Sequence, residues 1–298
     1  MEQTNYINFK KERELGEVIS DTFAFIRQNY KVLFQIYTKV LWPVLLLMLL
    51  AICYYTYITL NLGEDIMSLS GSTNPSSGMF SAFSGIFLAS FVLLIASWFY
   101  YTFLYGSYQY AVNSYIENNG EIKIDEVKEG LKQNWSSFLG ASFLAGLLTF
   151  IGAIMCLVPG IYVMVPFTLL YSIMVFYKMG VSESITYSFS LIKNNWWITF
   201  FTIIVISIIY FIITYVFNLP AIIYTLVKSL VYSQEGNLAD PSFAFDWVYL
   251  TLSALSSVVQ YLLYPIIIIA TVFIFFNLDE KKNQTGTYEA IDSLGKKD

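Results

Sequence analysis

The feature that most limits this chain is where its charges are missing. No Asp, Glu, Lys or Arg occurs in residues 40–63, 79–116, 133–177, 194–227 or 247–278. A helix that crosses a bilayer needs about 20 mainly apolar residues, and each window supplies them. The third and fourth windows are long enough for a hairpin, or for a helix plus a surface segment. A large soluble helical core would instead need a polar face on its helices. Composition agrees: 57% of the 298 residues are hydrophobic and 12% are charged, against roughly 25% charged in a soluble domain. The sequence predicts an all-α membrane protein, with residues 1–298 as a single polytopic domain.

Six spans fit the pattern, at about 37–60, 83–108, 138–157, 161–177, 198–217 and 248–276. Spans three and four are joined by Val158-Pro159-Gly160-Ile161, which reads as a tight turn at Pro159 and Gly160, because Pro fixes φ and Gly accepts a left-handed backbone. Pro43, Pro166 and Pro265 fall within spans and predict kinks. The stretch 61–81, rich in Gly, Ser and Asn, reads as a flexible loop. Pro220 separates span five from an apolar stretch at 221–232, which the sequence leaves open as interfacial or re-entrant. The N-terminal region is charged and amphipathic, so no cleavable signal peptide is expected. Cys53 and Cys156 lie in apolar stretches and read as buried packing thiols.

Orientation follows from the basic residues. Of the 16 Lys and Arg, all but Lys228 fall before or at the start of span one, between spans two and three, between four and five, or after six. The positive-inside rule makes that side, and both termini, cytoplasmic.

A threefold repeat underlies the spans. Arg27-Gln28-Asn29-Tyr30, Lys132-Gln133-Asn134-Trp135 and Lys193-Asn194-Asn195-Trp196 each precede an odd-numbered span. Upstream, Leu15, Ile19, Phe23, Ile26 and Tyr30 share their spacing with Val181, Ile185, Phe189, Ile192 and Trp196, and that spacing places each set on one helix face. The middle copy, Ile124, Val127, Leu131 and Trp135, is weaker. Tyr162 to Pro166 and Tyr261 to Pro265 repeat a Tyr-x-x-x-Pro motif. The pattern predicts three units, each a cytoplasmic amphipathic helix followed by a transmembrane hairpin. The bounds are 1–33 for the N-terminal amphipathic segment, 34–110 for hairpin one, 111–178 for repeat two, 179–277 for repeat three and 278–298 for a cytoplasmic tail. An amphipathic helix with a basic end lies in the headgroup layer, with its Tyr or Trp at the interface. Asn29, Asn134 and Asn195 then mark the bend into the span. The simpler reading is that each motif is the polar edge of a membrane helix.

The block 124–206 resembles the membrane domain fused to some bacterial glycerophosphodiester phosphodiesterases, which also occurs as stand-alone proteins. Gln133-Asn134-Trp135, Leu157-Val158-Pro159-Gly160-Ile161-Tyr162 and Gly180-Val181-Ser182-Glu183-Ser184-Ile185, leading to Asn195-Trp196, carry the likeness. The opening residues 15–23 are also similar. The resemblance implies a bacterial cytoplasmic membrane location. No soluble phosphodiesterase domain is present in this sequence, so that activity does not carry over.

Chemistry is scarce. There is no His, the commonest general base and metal ligand. The spans hold no ionisable residue apart from Lys39 at one edge, which argues against proton relays and ion paths. No phosphate-binding loop occurs. No catalytic, metal or cofactor residues are expected. Asp125/Glu126 and Glu64/Asp65 read as solvated pairs. Gln109 and Gln260 read as interhelical hydrogen-bonding groups. The aromatic run 98–110 reads as packing and interface belt. Expected partners are membrane lipids and a membrane protein or a second copy, with no nucleic acid. The sequence favours a scaffold or partner subunit of an envelope or lipid-related complex. A passive carrier or flippase is the alternative, and needs a cavity. An enzyme acting on lipid headgroups ranks last, since only Glu17/Asp21 or Asp125/Glu126/Glu129 could serve it.

Overall fold

The computed structural model describes residues 6–69, 75–234 and 247–294. These residues form helices α1 (Leu15–Lys39), α2 (Trp42–Leu69), α3 (Pro75–Glu117), α4 (Ile124–Met155), α5 (Leu157–Phe167), α6 (Leu170–Phe176), α7 (Val181–Ile192), α8 (Trp196–Gln234), α9 (Trp247–Leu263), α10 (Pro265–Asn283) and α11 (Thr285–Leu294), with no strand among them. Among the described residues, six stretches are long and apolar enough to cross a membrane: Trp42–Thr59, Phe83–Glu117, Ile124–Met155, Leu157–Phe176, Trp196–Val231 and Trp247–Asn283. The chain is a multi-pass helical membrane protein by that measure.

Two compact units divide the chain. One comprises Met1–Val40, Thr102–Ile212 and Leu262–Asp298; the other comprises Leu41–Tyr101 and Ile213–Tyr261. In the first unit, α10 is the centre, with residues 268–280 buried without a break. Phe273 stacks on Phe9 at 4.3 Å, and Phe275 stacks on Phe176 at 5.5 Å. Phe138 of α4 stacks on Tyr171 of α6 at 5.2 Å. The second unit is held by smaller contacts. Tyr100 meets Tyr261 edge-on at 5.5 Å, and the Ser256 hydroxyl donates to the Phe217 carbonyl at 2.8 Å. Its outward surface is a run of exposed Leu and Phe, such as Leu50, Phe87 and Leu94.

Helix ends follow local chemistry. Glu14 and Glu17 form a reciprocal capping box at the start of α1, satisfying free N–H groups of the first turn. Asn119 and Gly120 take positive φ after α3, at 51° and 107°. Gly120 then donates to the Tyr115 carbonyl at 2.8 Å, closing the helix end.

Several sequence expectations are corrected. Residues 61–69 and 75–81 are helical, so only 70–74 of the expected loop lies outside the described residues. Pro220 does not end a helix: α8 runs through it to Gln234. The stretch 221–232 is therefore neither a separate interfacial helix nor a re-entrant one. Pro43 begins α2 rather than kinking it, because the first helical turn has no N–H bond to lose. The turn expected at Pro159 and Gly160 sits earlier, at Cys156, which alone leaves the helix with φ −171° and ψ 145°. Pro159 falls in the first turn of α5, where proline costs nothing. Gly160 serves a different need: a Cβ there would lie 2.8 Å from the Ala153 backbone nitrogen, so glycine lets α4 and α5 meet backbone to backbone. Pro166 and Pro265 do mark breaks, at the α5–α6 and α9–α10 junctions.

Candidate functional site

The best-formed concavity is a polar cleft of about 500 Å³ in the first unit, between the end of α3, the start of α4 and the α6–α7 junction. Asn113, Gln133, Asn134, Ser137 and Lys178 bring donors and acceptors to it, and Met174 and Val175 supply apolar wall. The Asn134 amide donates to the Tyr110 hydroxyl at 2.8 Å. The Tyr110 ring lies where a Cβ on residue 130 would be, 2.5 Å away, so Gly130 is needed for α3 and α4 to close at this wall. Lys178 takes φ 53°, a left-handed turn that non-glycine residues seldom adopt.

Several carboxylates of this unit are tied into the fold, while Glu117, which also lines the cleft, is exposed. Glu126, at the cleft rim, accepts from Ser114 Oγ at 2.5 Å and Asn118 Nδ2 at 2.8 Å. It thereby ties the α3 end to the α4 start while remaining exposed to solvent, as the sequence reading expects. Glu17 caps α1. Asp21 accepts from Arg13 Nε at 2.9 Å. Among the described residues, no group of three or more His, Cys, Asp or Glu is placed to hold a metal ion.

Two polar networks escape the sequence reading. Residues 6–14 do not form an amphipathic surface helix; they tuck against α1, α3 and α10. Phe9 is fully buried, and Ile7 N–H donates to the Tyr115 hydroxyl at 2.9 Å. Arg13 is buried as well. Its guanidinium bonds Asp21 and the carbonyls of Phe9, Lys11 and Asn8 and lies 4.6 Å from the Phe273 ring centre. Burial pulls the Arg13 pKa down, and Asp21 opposes it. The second network closes α10. Asp279 accepts from Tyr177, Asn283 and Thr285. Glu280 accepts from the backbone N–H groups of Gly286 and Thr287 at 2.7 and 3.0 Å, capping the start of α11. The signal was the cluster Asn277, Asp279 and Glu280 at the edge of the last apolar window, which reads in sequence as the beginning of a tail.

The repeat motif falls in unlike settings. Arg27, Asn29 and Tyr30 lie mid-helix in α1; Lys132, Asn134 and Trp135 lie mid-helix in α4. Neither Asn makes the expected left-handed bend, and neither does Asn195. Instead Asn29 and Asn134 each donate to the carbonyl four residues back, Phe25 and Gly130, at 3.0 and 3.2 Å. The helical ladder competes successfully with the turn. Lys193 and Asn195 do lie between two helices, and Trp196 opens α8. Trp196 stacks on Tyr162 at 5.4 Å, and its indole N–H donates to the Tyr162 carbonyl at 3.2 Å. These residues, with Val158, Ile161, Trp197 and Phe200, line an open groove of about 680 Å³.

Other expectations divide. Gln109 makes its interhelical bond, accepting from Ser172 Oγ at 3.2 Å. The Tyr108 hydroxyl donates to the Leu33 carbonyl at 3.0 Å, a packing role. Cys53 and Cys156 are exposed rather than buried, because both stand on apolar surfaces that face away from the protein. Comparison with protein families, curated proteins and solved structures finds no match to this chain.

Proposed function

We propose that this protein is a non-catalytic membrane component, a scaffold or partner subunit in an envelope or lipid-related complex of a bacterial cytoplasmic membrane, with both termini cytoplasmic. One observation carries the reading: carboxylates of the first unit are used to fasten helix ends and the N-terminal segment. Asp21, Glu126, Asp279 and Glu280 each accept hydrogen bonds from neighbouring elements, which leaves them unsuited to general acid–base work. The cleft is lined by amides, hydroxyls, Lys178 and the carboxylates Glu117 and Glu126, groups suited to binding a polar segment of another protein. The alternative, a passive carrier or flippase, needs a route through the helices. The unbroken burial of residues 268–280 weighs against one in the first unit.

The test is recovery of the intact protein in native lipid discs with a stoichiometric partner, compared with a Gln133→Ala/Lys178→Ala variant. The variant is expected to lose that partner, and Lys228→Ala to keep it. Recovery of the lone chain in every case would count against the reading. Unchanged recovery with the cleft variant would remove the cleft as the binding surface.

A further inference from the structure

Tyr162 and Trp196 cannot both stand where a six-span topology puts them. That topology sets Tyr162 near the outer end of span four and Trp196 at the inner start of span five, separated by a hydrocarbon layer of roughly 30 Å. Yet the two rings stack at 5.4 Å, and the Trp196 indole N–H donates to the Tyr162 backbone carbonyl at 3.2 Å. One placement has to give way.

Helix α7 does not supply a missing crossing between them. It has 12 residues, about 18 Å at 1.5 Å per residue. Its exposed face is Ser182, Glu183, Thr186 and Ser190, a polar stripe that hydrocarbon would penalise. The Lys282 ammonium donates to Ser190 Oγ at 2.7 Å and lies 4.9 Å from the Tyr187 ring centre. Ser190 is six residues from Trp196 across the tight 193–195 turn, where the Asn195 N–H donates to the Ile192 carbonyl at 2.8 Å, a reach shorter than the roughly 30 Å hydrocarbon layer. Lys193, Lys282, Trp196 and Tyr162 therefore share one side of the membrane.

The tip of the α4–α5 hairpin, at Cys156, lies only about 9 Å of helix beyond Tyr162. It is apolar on every side: Ile154, Met155, Leu157 and Val158 are 69–80% exposed. A tip emerging into water would carry polar residues. The turn also spares backbone groups, since Cys156 alone departs from helix and donates to the Gly152 carbonyl at 3.1 Å. Hydrocarbon demands that economy.

We propose that the α4–α5 hairpin does not cross the bilayer but dips its tip into the leaflet on the Lys193 side and returns. Its partner is the acyl-chain layer of that leaflet. Trp196, Trp197 and Tyr162 sit at the headgroup boundary, where amphipathic rings collect. The exposed flank of α4, Phe143, Leu147 and Phe150, continues the apolar tip, so the hairpin lies obliquely at shallow depth, on the order of 5–10 Å. The remaining crossings are α2, α3, α8 and α9–α10. Their even number keeps both termini, and the basic residues, on one side.

The native Cys156 tests this in Cys53→Ser protein reconstituted in bilayers. Lys193→Cys and Lys282→Cys, in a chain otherwise free of cysteine, serve as references. Both references are expected to react with a membrane-impermeant maleimide from the same face. Cys156 is expected to react from neither face, because the attacking thiolate needs water. A nitroxide on Cys156 is expected to collide with oxygen and not with a nickel chelate. Labelling of the two references from opposite faces overturns the proposal, as does labelling of Cys156 from either face. Nickel access does the same. Dipolar broadening between nitroxides would seat a second copy on the tip and overturn it too.

Discussion

α10 and α2 both lie in stretches apolar enough to cross a membrane, yet their surroundings are opposite. The span that contains α10 has mean hydropathy 2.3 and is 56% buried; the α2 span has 1.7 and is 11% buried. One helix is solvated by protein, the other turns its Leu and Tyr outward to lipid. The difference lies at the ends rather than in the apolar stretch. α10 carries Asn277, Asp279 and Glu280, each bonded to another segment, and the N-terminal residues wrap its middle. Helix α2 has no comparable anchor among the described residues. Between membrane helices there is no hydrophobic drive of the aqueous kind, so packing and polar pins decide which helix is enclosed.

The largest effect that would break this comparison is at Phe273. Phe273→Ala removes a ring stacked on Phe9 and lying under Arg13. A loss of about 3–5 kcal/mol is expected from buried Phe truncation. Phe87→Ala, at a ring 75% exposed, is expected to cost less than about 0.5 kcal/mol. Reversible unfolding in mixed micelles reads both. Equal losses would mean that α10 is no more enclosed than the outward surface of α3.

Arg13→Met comes next. It leaves Asp21 and the carbonyls of Asn8, Phe9 and Lys11 without their donor. Removing one partner of a buried pair costs roughly 3 kcal/mol or more, reduced here because Asp21 reaches solvent. The predicted order is below Phe273→Ala and above any single surface charge. Proteolysis of residues 6–14 in the native protein would report their release. Retained protection would show that Phe9 alone holds the segment.

How far the sequence foretells this depends on what kind of force is at work. The charge-free windows locate all six apolar helices because lipid imposes composition over whole helices. The motif Lys193-Asn194-Asn195-Trp196 correctly marks a helix junction, yet the matching residues in α1 and α4 do not. A basic–amide–Asn–aromatic string permits a break but does not force one. The ladder wins where the following residues can continue it. Likewise the stripes of α1 and α7 share a spacing, while Phe23 is exposed where its counterpart Phe189 is half-buried, and Ile26 is half-buried where Ile192 is buried. Which apolar face meets lipid and which meets protein is a tertiary fact, invisible to periodicity. The cleft was half legible, since Asn134 and Gln133 were singled out, but Asn113 and Lys178 reach it only through the turns that position α3 and α7.

A smaller effect concerns the hairpin. Gly160→Leu forces a side chain against Ala153, whose atoms would stand 2.8–3.0 Å from the first added carbon. Overpacking of this kind costs typically about 1–3 kcal/mol. The stronger readout is local: a pair of spin labels at residues 149 and 163 should move apart. Unchanged separation would mean that the backbones are not held in contact there.

The smallest effect is a pH response at the α10 end. Burial raises the Tyr177 pKa from its usual 10.0, and its bonds to Asp279 and Tyr187 raise it further. The folded state therefore holds the phenol proton more tightly than the unfolded chain does. The stabilisation is complete below about pH 10 and is lost as the pH climbs from there toward the raised folded value. Above that pH the Tyr177–Asp279 contact would set two anions together, and the link between α6 and α10 should weaken first. Tyr177→Phe should lower stability at neutral pH by about 1 kcal/mol, the worth of one hydrogen bond, and flatten the alkaline decline. A variant that declines as steeply as the native protein between pH 9 and 11 would assign the response to other tyrosines, and the anchoring of α10 would then rest on Glu280 and Arg13 alone.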